Sequence, residues 1–306
     1  MVVVNKITVP ASTGFHIYDT HVNYPTVAQI GVVGNAKAGM VKDLHINNSI
    51  FSAQPDVAGG PWPVPSDQKW TVRLYNLDNA VIENSIFRNN HKEHFLYLGT
   101  EGNLTIRNCT FADTGSQAIQ VANREQDSFH GVAANVPGLL TINKCKIDRC
   151  AQPYGTRQSW NISLFGFETV TRDAAGNITG KHRGESFQDV VISGCEINGS
   201  GYEHTASGGR DCNSTGAILV EYRPNVLINR VKCNFVRPDR GVIHLTGNKN
   251  VTMSMMEVWG GDIVIAKHLG TKVKIYPGVG DADICLLDEG TNQVRKVSTL
   301  KAGYSQ

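Results

Sequence analysis

One inserted segment combines the side chains that acid–base or metal chemistry requires. Two carboxylates, a guanidinium and an imidazole occur in the run Asn123-Arg124-Glu125-Gln126-Asp127-Ser-Phe-His130. Carboxylates of this kind act as general acid and base, and we predict four catalytic side chains in this segment: Arg124, Glu125, Asp127 and His130. The oxygens of Glu125 and Asp127 are also ligands that Ca²⁺ prefers. A solvated, charged loop tip is the alternative interpretation.

A second set of candidate catalytic residues is Glu221, Arg223 and His244. Glu221 and Arg223 leave one predicted strand, and His244 lies on the next strand, so we expect them within reach of one another across a strand spacing. A base and a cation of this kind are what proton abstraction beside a carboxylate-bearing carbon needs. A cross-strand salt bridge is the structural alternative.

The surface between these two sets mixes polar and aromatic residues, as surfaces that bind sugars do. We predict five side chains that contact a substrate: Arg73, Tyr97, Gln120, Trp160 and Phe165. Long insertions border this surface at 52–70, 148–160 and 198–216 on one side and at 122–138 and 165–188 on the other. Together they predict a groove that fits an extended chain. Ordinary strand packing and solvation are the alternative for each residue.

The composition excludes several classes of partner. Lys and Arg number 29 against 27 for Asp and Glu in 306 residues, so we expect neither nucleic acid nor membrane as a partner. The first residues lack the pattern of a signal peptide, and no apolar run is long enough to span a membrane. We therefore expect a soluble chain. Its location stays open between a secreted mature form, a virion-associated protein and a piece of a larger protein. Seven cysteines without paired metal spacing predict buried thiols.

A short repeat along the chain predicts the elements that position these residues. Its first three copies are Leu44-His-Ile46-Asn-Asn48-Ser49-Ile-Phe51, Ala80-Val-Ile82-Glu-Asn84-Ser85-Ile-Phe87 and Leu104-Thr-Ile106-Arg-Asn108-Cys109-Thr-Phe111. Weaker copies are centred on Ile142, Ile192, Ile228 and Met253. Copies recur at intervals of about 24 to 50 residues, which is typical of a solenoid with loops inserted between constant strands.

Period-two alternation marks a second strand before most copies. Its last inward residue lies eight positions before the central residue in four of them, namely Leu74/Ile82, Leu98/Ile106, Val220/Ile228 and Leu245/Met253. Alternation with one apolar face is the signature of a half-buried strand. The pattern therefore predicts parallel strands stacked in columns, with Phe51, Phe87 and Phe111 one above another.

These motifs resemble the pectate-lyase-like superfamily of right-handed parallel β-helices. In that superfamily a two-residue turn often carries an asparagine ladder, which Asn48, Asn84 and Asn108 match; the later copies substitute Lys144, Gly194, Arg230 and Met255. The resemblance covers about residues 40 to 275. It implies one all-β domain, a solenoid of about seven or more coils at 41–275, with an N-terminal cap at 1–40 and a C-terminal cap at 276–306. A β-propeller or a β-sandwich is the alternative.

The resemblance implies a carbohydrate-active protein whose groove binds an extended polysaccharide. A polysaccharide lyase or a glycoside hydrolase, with Ca²⁺ as a possible cofactor, is the first expectation. The sequence lacks the catalytic motifs of the related polygalacturonases and epimerases, so this expectation rests on the fold. The alternative is a non-catalytic glycan-binding module of the phage tail-spike or adhesin type, for which a homo-trimer is expected.

Overall fold

The computed structural model describes residues 2–4, 7–9, 12–23, 28–32, 41–52, 70–90, 94–114, 116–125, 135–150, 159–199, 215–235, 241–266, 271–287 and 293–306. Every regular element in these ranges is a strand. The all-β class predicted from the sequence is therefore confirmed. Asp127 and His130 lie outside the described residues. None of the described residues belongs to a helix long and apolar enough to cross a membrane.

Most strands belong to three large sheets, here called sheets I, II and III. Sheet I contains β2 (Ile7–Val9), β3 (Ser12–Thr13), β6 (Ala28–Val32), β7 (Val41–Lys42), β10 (Trp70–Asp78), β13 (Leu96–Thr100), β16 (Ile119–Val121), β19 (Ser159–Leu164), β24 (Thr215–Glu221), β27 (Ile243–Thr246), β30 (Ile263–Ala266), β33 (Asp283–Leu287) and β34 (Val294–Thr299). Sheet II contains β4 (His16–Tyr18), β8 (His45–Asn47), β11 (Ala80–Glu83), β14 (Leu104–Arg107), β17 (Gly138–Asn143), β22 (Gln188–Ser193), β25 (Asn225–Asn229), β28 (Asn250–Ser254), β31 (Lys272–Ile275) and β35 (Tyr304–Ser305). Sheet III contains β1 (Val2–Val4), β5 (Thr20–Asn23), β9 (Ile50–Ser52), β12 (Ile86–Asn90), β15 (Thr110–Thr114), β18 (Lys146–Asp148), β23 (Glu196–Asn198), β26 (Lys232–Asn234), β29 (Glu257–Trp259) and β32 (Val279–Gly280).

The chain visits the sheets in a fixed order, I, II and III, and each strand pairs in parallel with the strand one repeat later. Such large parallel sheets are compatible with a β-helix or another solenoid. Strands within 2–32, which belong to the segment 1–40 predicted as an N-terminal cap, also pair in parallel with their neighbours. At the other end β34 and β35 pair antiparallel to β33 and β31.

The predicted columns are confirmed by the strand register. The central residues of sheet II pair in one series from Ile17 through Ile46, Ile82, Ile106, Ile142, Ile192, Ile228 and Met253 to Ile275. All of them are buried. In sheet III the rings of Phe51, Phe87 and Phe111 are stacked, with neighbouring centroids 4.9 Å apart. Burial of these apolar columns stabilises the sheets by about 25 cal/mol per Å² of apolar surface removed from water.

The turn between sheets II and III keeps one backbone conformation although its residue type changes. In eight of the described repeats the residue at this turn has φ between 47° and 63°: Asp19, Asn48, Asn84, Asn108, Lys144, Gly194, Arg230 and Met255. The Asn108 amide donates a hydrogen bond to the Asn84 amide oxygen, at 3.3 Å. The predicted ladder is therefore present in part. Because a Cβ disfavours left-handed backbone by about 1–2 kcal/mol, the three later residues that are neither Asn nor Gly are strained.

We predict that Met255→Gly stabilises the protein. The Met255 side chain is 63% exposed and its φ is 52°, so glycine relieves strain and loses little packing. Glycine also has greater conformational entropy in the unfolded chain, which offsets part of this relief. The net increase in the free energy of unfolding, measured in urea, is about 0.5–1 kcal/mol. The control is Leu227→Gly, also an exposed apolar residue but inside β25, which should lose about 1 kcal/mol. Equal losses in both variants would contradict the strain assignment.

Candidate active site

A β-hairpin forms most of the insertion predicted at 165–188. Its antiparallel strands are β20 (Phe167–Arg172) and β21 (Ile178–Gly184). Asp173 closes the turn by accepting hydrogen bonds from the backbone of Ala175 and Asn177, as aspartate commonly does in turns. The hairpin pairs with the other insertion through a bridge between Arg124 and Glu168. The insertions predicted at 122–138 and 165–188 are thereby joined at this bridge.

The carboxylate of Glu168 lies at the centre of this place and is surrounded by three cations. Its oxygens are 3.6 Å from Arg124 Nε, 3.7 Å from Lys181 Nζ and 3.7 Å from Arg183 Nε. These are ion pairs at distances longer than a hydrogen bond. Oε1 of Glu168 is buried and accepts no hydrogen bond from the part of the chain that the structure describes. A buried acceptor in this state favours a donor supplied by a ligand or by water.

Glu221, at the end of β24, is the second carboxylate of the site. Its Oε2 is 3.3 Å from Nη1 of Arg183, so the same guanidinium contacts both Glu168 and Glu221. Burial raises the pKa of the Glu221 carboxyl, and the charge of Arg183 opposes that rise. Because burial is the larger effect, Glu221 holds its proton to a higher pH than an exposed glutamate.

An aromatic cluster lies beside the two carboxylates on the outer face of sheet I. Tyr75, Tyr97 and Ala122 form it, with Phe165 packed against them. Arg124 Nη2 donates to the Tyr97 hydroxyl at 3.1 Å, and the guanidinium of Arg183 lies 4.0 Å from the centroid of the Phe165 ring. Cation–π contact of this kind fixes the orientation of the Arg183 side chain. The two predicted residues Tyr97 and Phe165 thus lie at the site.

Arg223 is not on this surface, in contrast to its predicted role. Its side chain is fully buried. Nη1 donates to Ser186 Oγ at 2.7 Å and to Gln188 Oε1 at 3.1 Å, and Nη2 donates to the Phe165 carbonyl at 2.5 Å. Burial lowers the pKa of Arg223 to about 9. Phe165 and Ser186 flank the hairpin, so Arg223 holds both of its ends and acts as a positioning residue.

Asn123 extends this buried network to the other insertion. Its amide donates to Gln188 Oε1 at 2.7 Å and to the Thr100 carbonyl at 2.8 Å. Gln188 in turn donates to the carbonyls of Thr100 and Gly102. Asn123 directly precedes Arg124, so the network also fixes the start of the segment that contacts Glu168.

The remaining predicted surface residues are more buried than the sequence suggested. Trp160 and Gln120 are both less than one-tenth exposed. The ring of Trp160 meets that of His244 edge-on, with centroids 5.6 Å apart. Gln120 is hydrogen-bonded through Oε1 to His94 Nε2 at 2.7 Å, and the Arg73 guanidinium lies 5.6 Å from the centre of the Tyr75 ring. In the strand register His244 pairs with Leu219, and Glu221 pairs with Thr246.

The residues predicted to bind Ca²⁺ are Glu125 and Asp127. Glu125 Oε2 accepts a hydrogen bond from the backbone N–H of Val170, at 3.1 Å, so it tethers the hairpin. Within the described ranges, no group of three or more His, Cys, Asp or Glu side chains is placed to hold a metal ion. Asp127 lies outside the described residues, so the calcium prediction stays untested.

Three residues of the site were absent from the sequence-based predictions: Glu168, Lys181 and Arg183. A signal for them exists in the turn run Asp173-Ala-Ala-Gly176-Asn177, which favours a hairpin. The register pairs Glu168 with Arg183 and Val170 with Lys181. Alternation along β20 and β21 then places these side chains on one face.

Comparisons with models of known protein families, with curated proteins and with solved structures gave no significant match.

We predict that Arg223→Met destabilises the protein by about 2 kcal/mol, because three buried hydrogen bonds from a charged donor are lost. Urea unfolding measures this loss. Arg295→Met, at an exposed position of β34, is the matched control and should change stability by less than about 0.5 kcal/mol. An Arg223 variant as stable as the Arg295 variant would show that the network does not support the fold.

Proposed function

We propose that this protein is a glycoside hydrolase that cleaves an extended, acidic polysaccharide at the site formed by Glu168, Arg183 and Glu221. The observation that carries the proposal is the placement of two carboxylates on one guanidinium, with the pKa of one of them raised by burial. Glycoside hydrolysis requires two carboxyl groups in different protonation states, one to give a proton and one to act in its ionised form.

Glu221 is assigned as the general acid. Its raised pKa lets it keep its proton to a higher pH than an exposed glutamate, and that proton passes to the glycosidic oxygen as the bond from this oxygen to the anomeric carbon breaks. Glu168 accepts a hydrogen bond from the attacking water through Oε1. Glu168 takes one proton from this water as the water oxygen bonds to the anomeric carbon, and the other proton stays on the new hydroxyl group. Glu168 then releases its proton to solvent, and Glu221 is reprotonated from solvent. Arg183 keeps the two carboxylates at a fixed separation.

The charges around the site support an acidic substrate. Arg124, Lys181 and Arg183 surround Glu168, and Glu221 is uncharged in its protonated form. The site therefore carries an excess of positive charge, which favours the carboxylate of a uronic acid residue. Tyr97 and Phe165 supply aromatic surface beside it, and aromatic faces pack against the apolar faces of sugar rings.

The finer description of the fold belongs to the same proposal. We infer a right-handed parallel β-helix of the pectate-lyase-like type, with a single groove over sheet I bordered by the insertions. The three parallel sheets and the continuous column of sheet II support it. A connection that leaves one strand and returns to a parallel strand of the same sheet is right-handed in nearly all known cases.

We predict that Glu221→Gln and Glu168→Gln each lower kcat by about 10²-fold or more, since each removes an acid–base group that acts in the transition state. The assay incubates the full chain with a panel of neutral and acidic polysaccharides and counts new reducing ends. Ultraviolet absorbance of unsaturated products is followed in parallel, because a lyase would give such products. The control is Glu257→Gln, a carboxylate of sheet III that pairs with Lys232 at 3.2 Å, and its turnover should equal that of the wild type.

The pH profile separates the two carboxylates. Hydrolysis should decline as the pH rises through the raised pKa of Glu221, because the protonated acid is then lost.

The products of the polysaccharide assay decide between the candidate functions. Reducing ends without unsaturated products support the hydrolase. Unsaturated products would replace it with a lyase. Binding of an acidic glycan without cleavage would instead support the tail-spike-like binding module, and full turnover in Glu221→Gln would remove that residue from the mechanism.

A further inference from the structure

A cluster of histidine and tyrosine side chains lies on the outer face of sheet II, on strands that do not contribute to the candidate active site. His16 and Tyr18 come from β4, and His45 comes from β8. His16 and His45 are directly paired across the parallel strands, so their side chains leave the same face of the sheet side by side. All three side chains are at least partly exposed.

Three donor atoms of this cluster converge. The Tyr18 hydroxyl oxygen is 2.8 Å from Nδ1 of His45 and 3.3 Å from Nδ1 of His16. The centroids of the two imidazole rings are 5.8 Å apart, and their planes are close to perpendicular. Two ligands at about 2.0–2.1 Å from a tetrahedral Zn²⁺ ion are separated by about 3.3 Å. The two separations from the Tyr18 hydroxyl oxygen are therefore near those between neighbouring ligands of such an ion.

A carboxylate behind His45 orients its ring. His45 Nε2 is 2.6 Å from Oε1 of Glu83, whose Oε2 accepts a hydrogen bond from Arg107 Nε at 2.6 Å. An ionised carboxylate only accepts hydrogen bonds, so Nε2 carries the proton and Nδ1 presents its lone pair toward Tyr18. Histidine ligands of metal ions are typically held by a carboxylate in this way, which fixes the tautomer and increases the basicity of the ligating nitrogen.

We propose that His16, Tyr18 and His45 form a binding site for a transition-metal ion of the Zn²⁺ class. The two Nδ1 atoms and the phenol oxygen are the protein ligands, and Glu83 is the positioning residue. Imidazole nitrogens select ions such as Zn²⁺ over Ca²⁺ and Mg²⁺, which prefer oxygen ligands. The ion takes the place of the phenol proton, which passes to solvent when the metal binds. The open side of the exposed cluster leaves the fourth position to water or to a ligand.

The test is a titration of the metal-free full chain with Zn²⁺ alone, followed by calorimetry and by ultraviolet difference spectra of tyrosine. We expect one ion at this cluster, a tyrosinate signal at saturation, and no comparable response to Ca²⁺. His16→Ala, His45→Ala and Tyr18→Phe should each weaken binding by at least about 10-fold, and Tyr18→Phe should abolish the tyrosinate signal. Glu83→Gln keeps all three ligands and should weaken binding by about 10- to 100-fold.

His182→Ala is the matched control, because His182 is an exposed histidine of the hairpin and lies outside this cluster. The affinity of this variant for Zn²⁺ should equal that of the wild type. Thermal unfolding without metal checks that the variants fold. A wild-type chain that binds no Zn²⁺, or a His16→Ala/His45→Ala double variant that binds it as tightly as the wild type, would overturn the proposal. Unchanged affinity in Tyr18→Phe would overturn the assignment of three ligands.

Discussion

The buried guanidinium of Arg223 is the interaction on which the geometry of the candidate active site depends. A cation without solvent is costly unless hydrogen bonds compensate it, and Arg223 finds its compensation in Phe165, Ser186 and Gln188. Two of these groups flank the hairpin, and Arg223 itself follows Glu221 by two residues. The hydrogen bonds of its two Nη atoms therefore place the hairpin carboxylate opposite the strand carboxylate.

The parallel register gives this network a rigid base. Repeating columns of apolar residues fix the position of each strand end along the sheets, and Phe51, Phe87 and Phe111 stack with nearly parallel rings. Insertions that leave sheet I at different repeats therefore begin at defined positions along the direction in which the repeats stack. The site is assembled where two such insertions meet, at the bridge between Arg124 and Glu168. Constant strands supply the framework, and variable connections supply the chemistry.

The columns and the left-handed turns were predictable because each depends on a local pattern. Period-two alternation identified the inward rows, and Asn48, Asn84 and Asn108 marked a turn whose backbone persists where Lys144 and Met255 replace asparagine. The site was predictable only in part. A side chain such as Arg223 lies beyond the end of its strand, where alternation no longer indicates whether a residue points inward.

The pairing of Glu168 with cations depends on a hairpin register and on contact between distant insertions, neither of which a repeat pattern contains.

The claim that Arg223 positions the hairpin is tested most directly by amide hydrogen exchange in the wild type and in Arg223→Met. We expect faster exchange across the hairpin at 167–184 and at the start of β22, with unchanged protection in β12 and β15. Equal protection of the hairpin in both proteins would contradict the claim that Arg223 holds the site together.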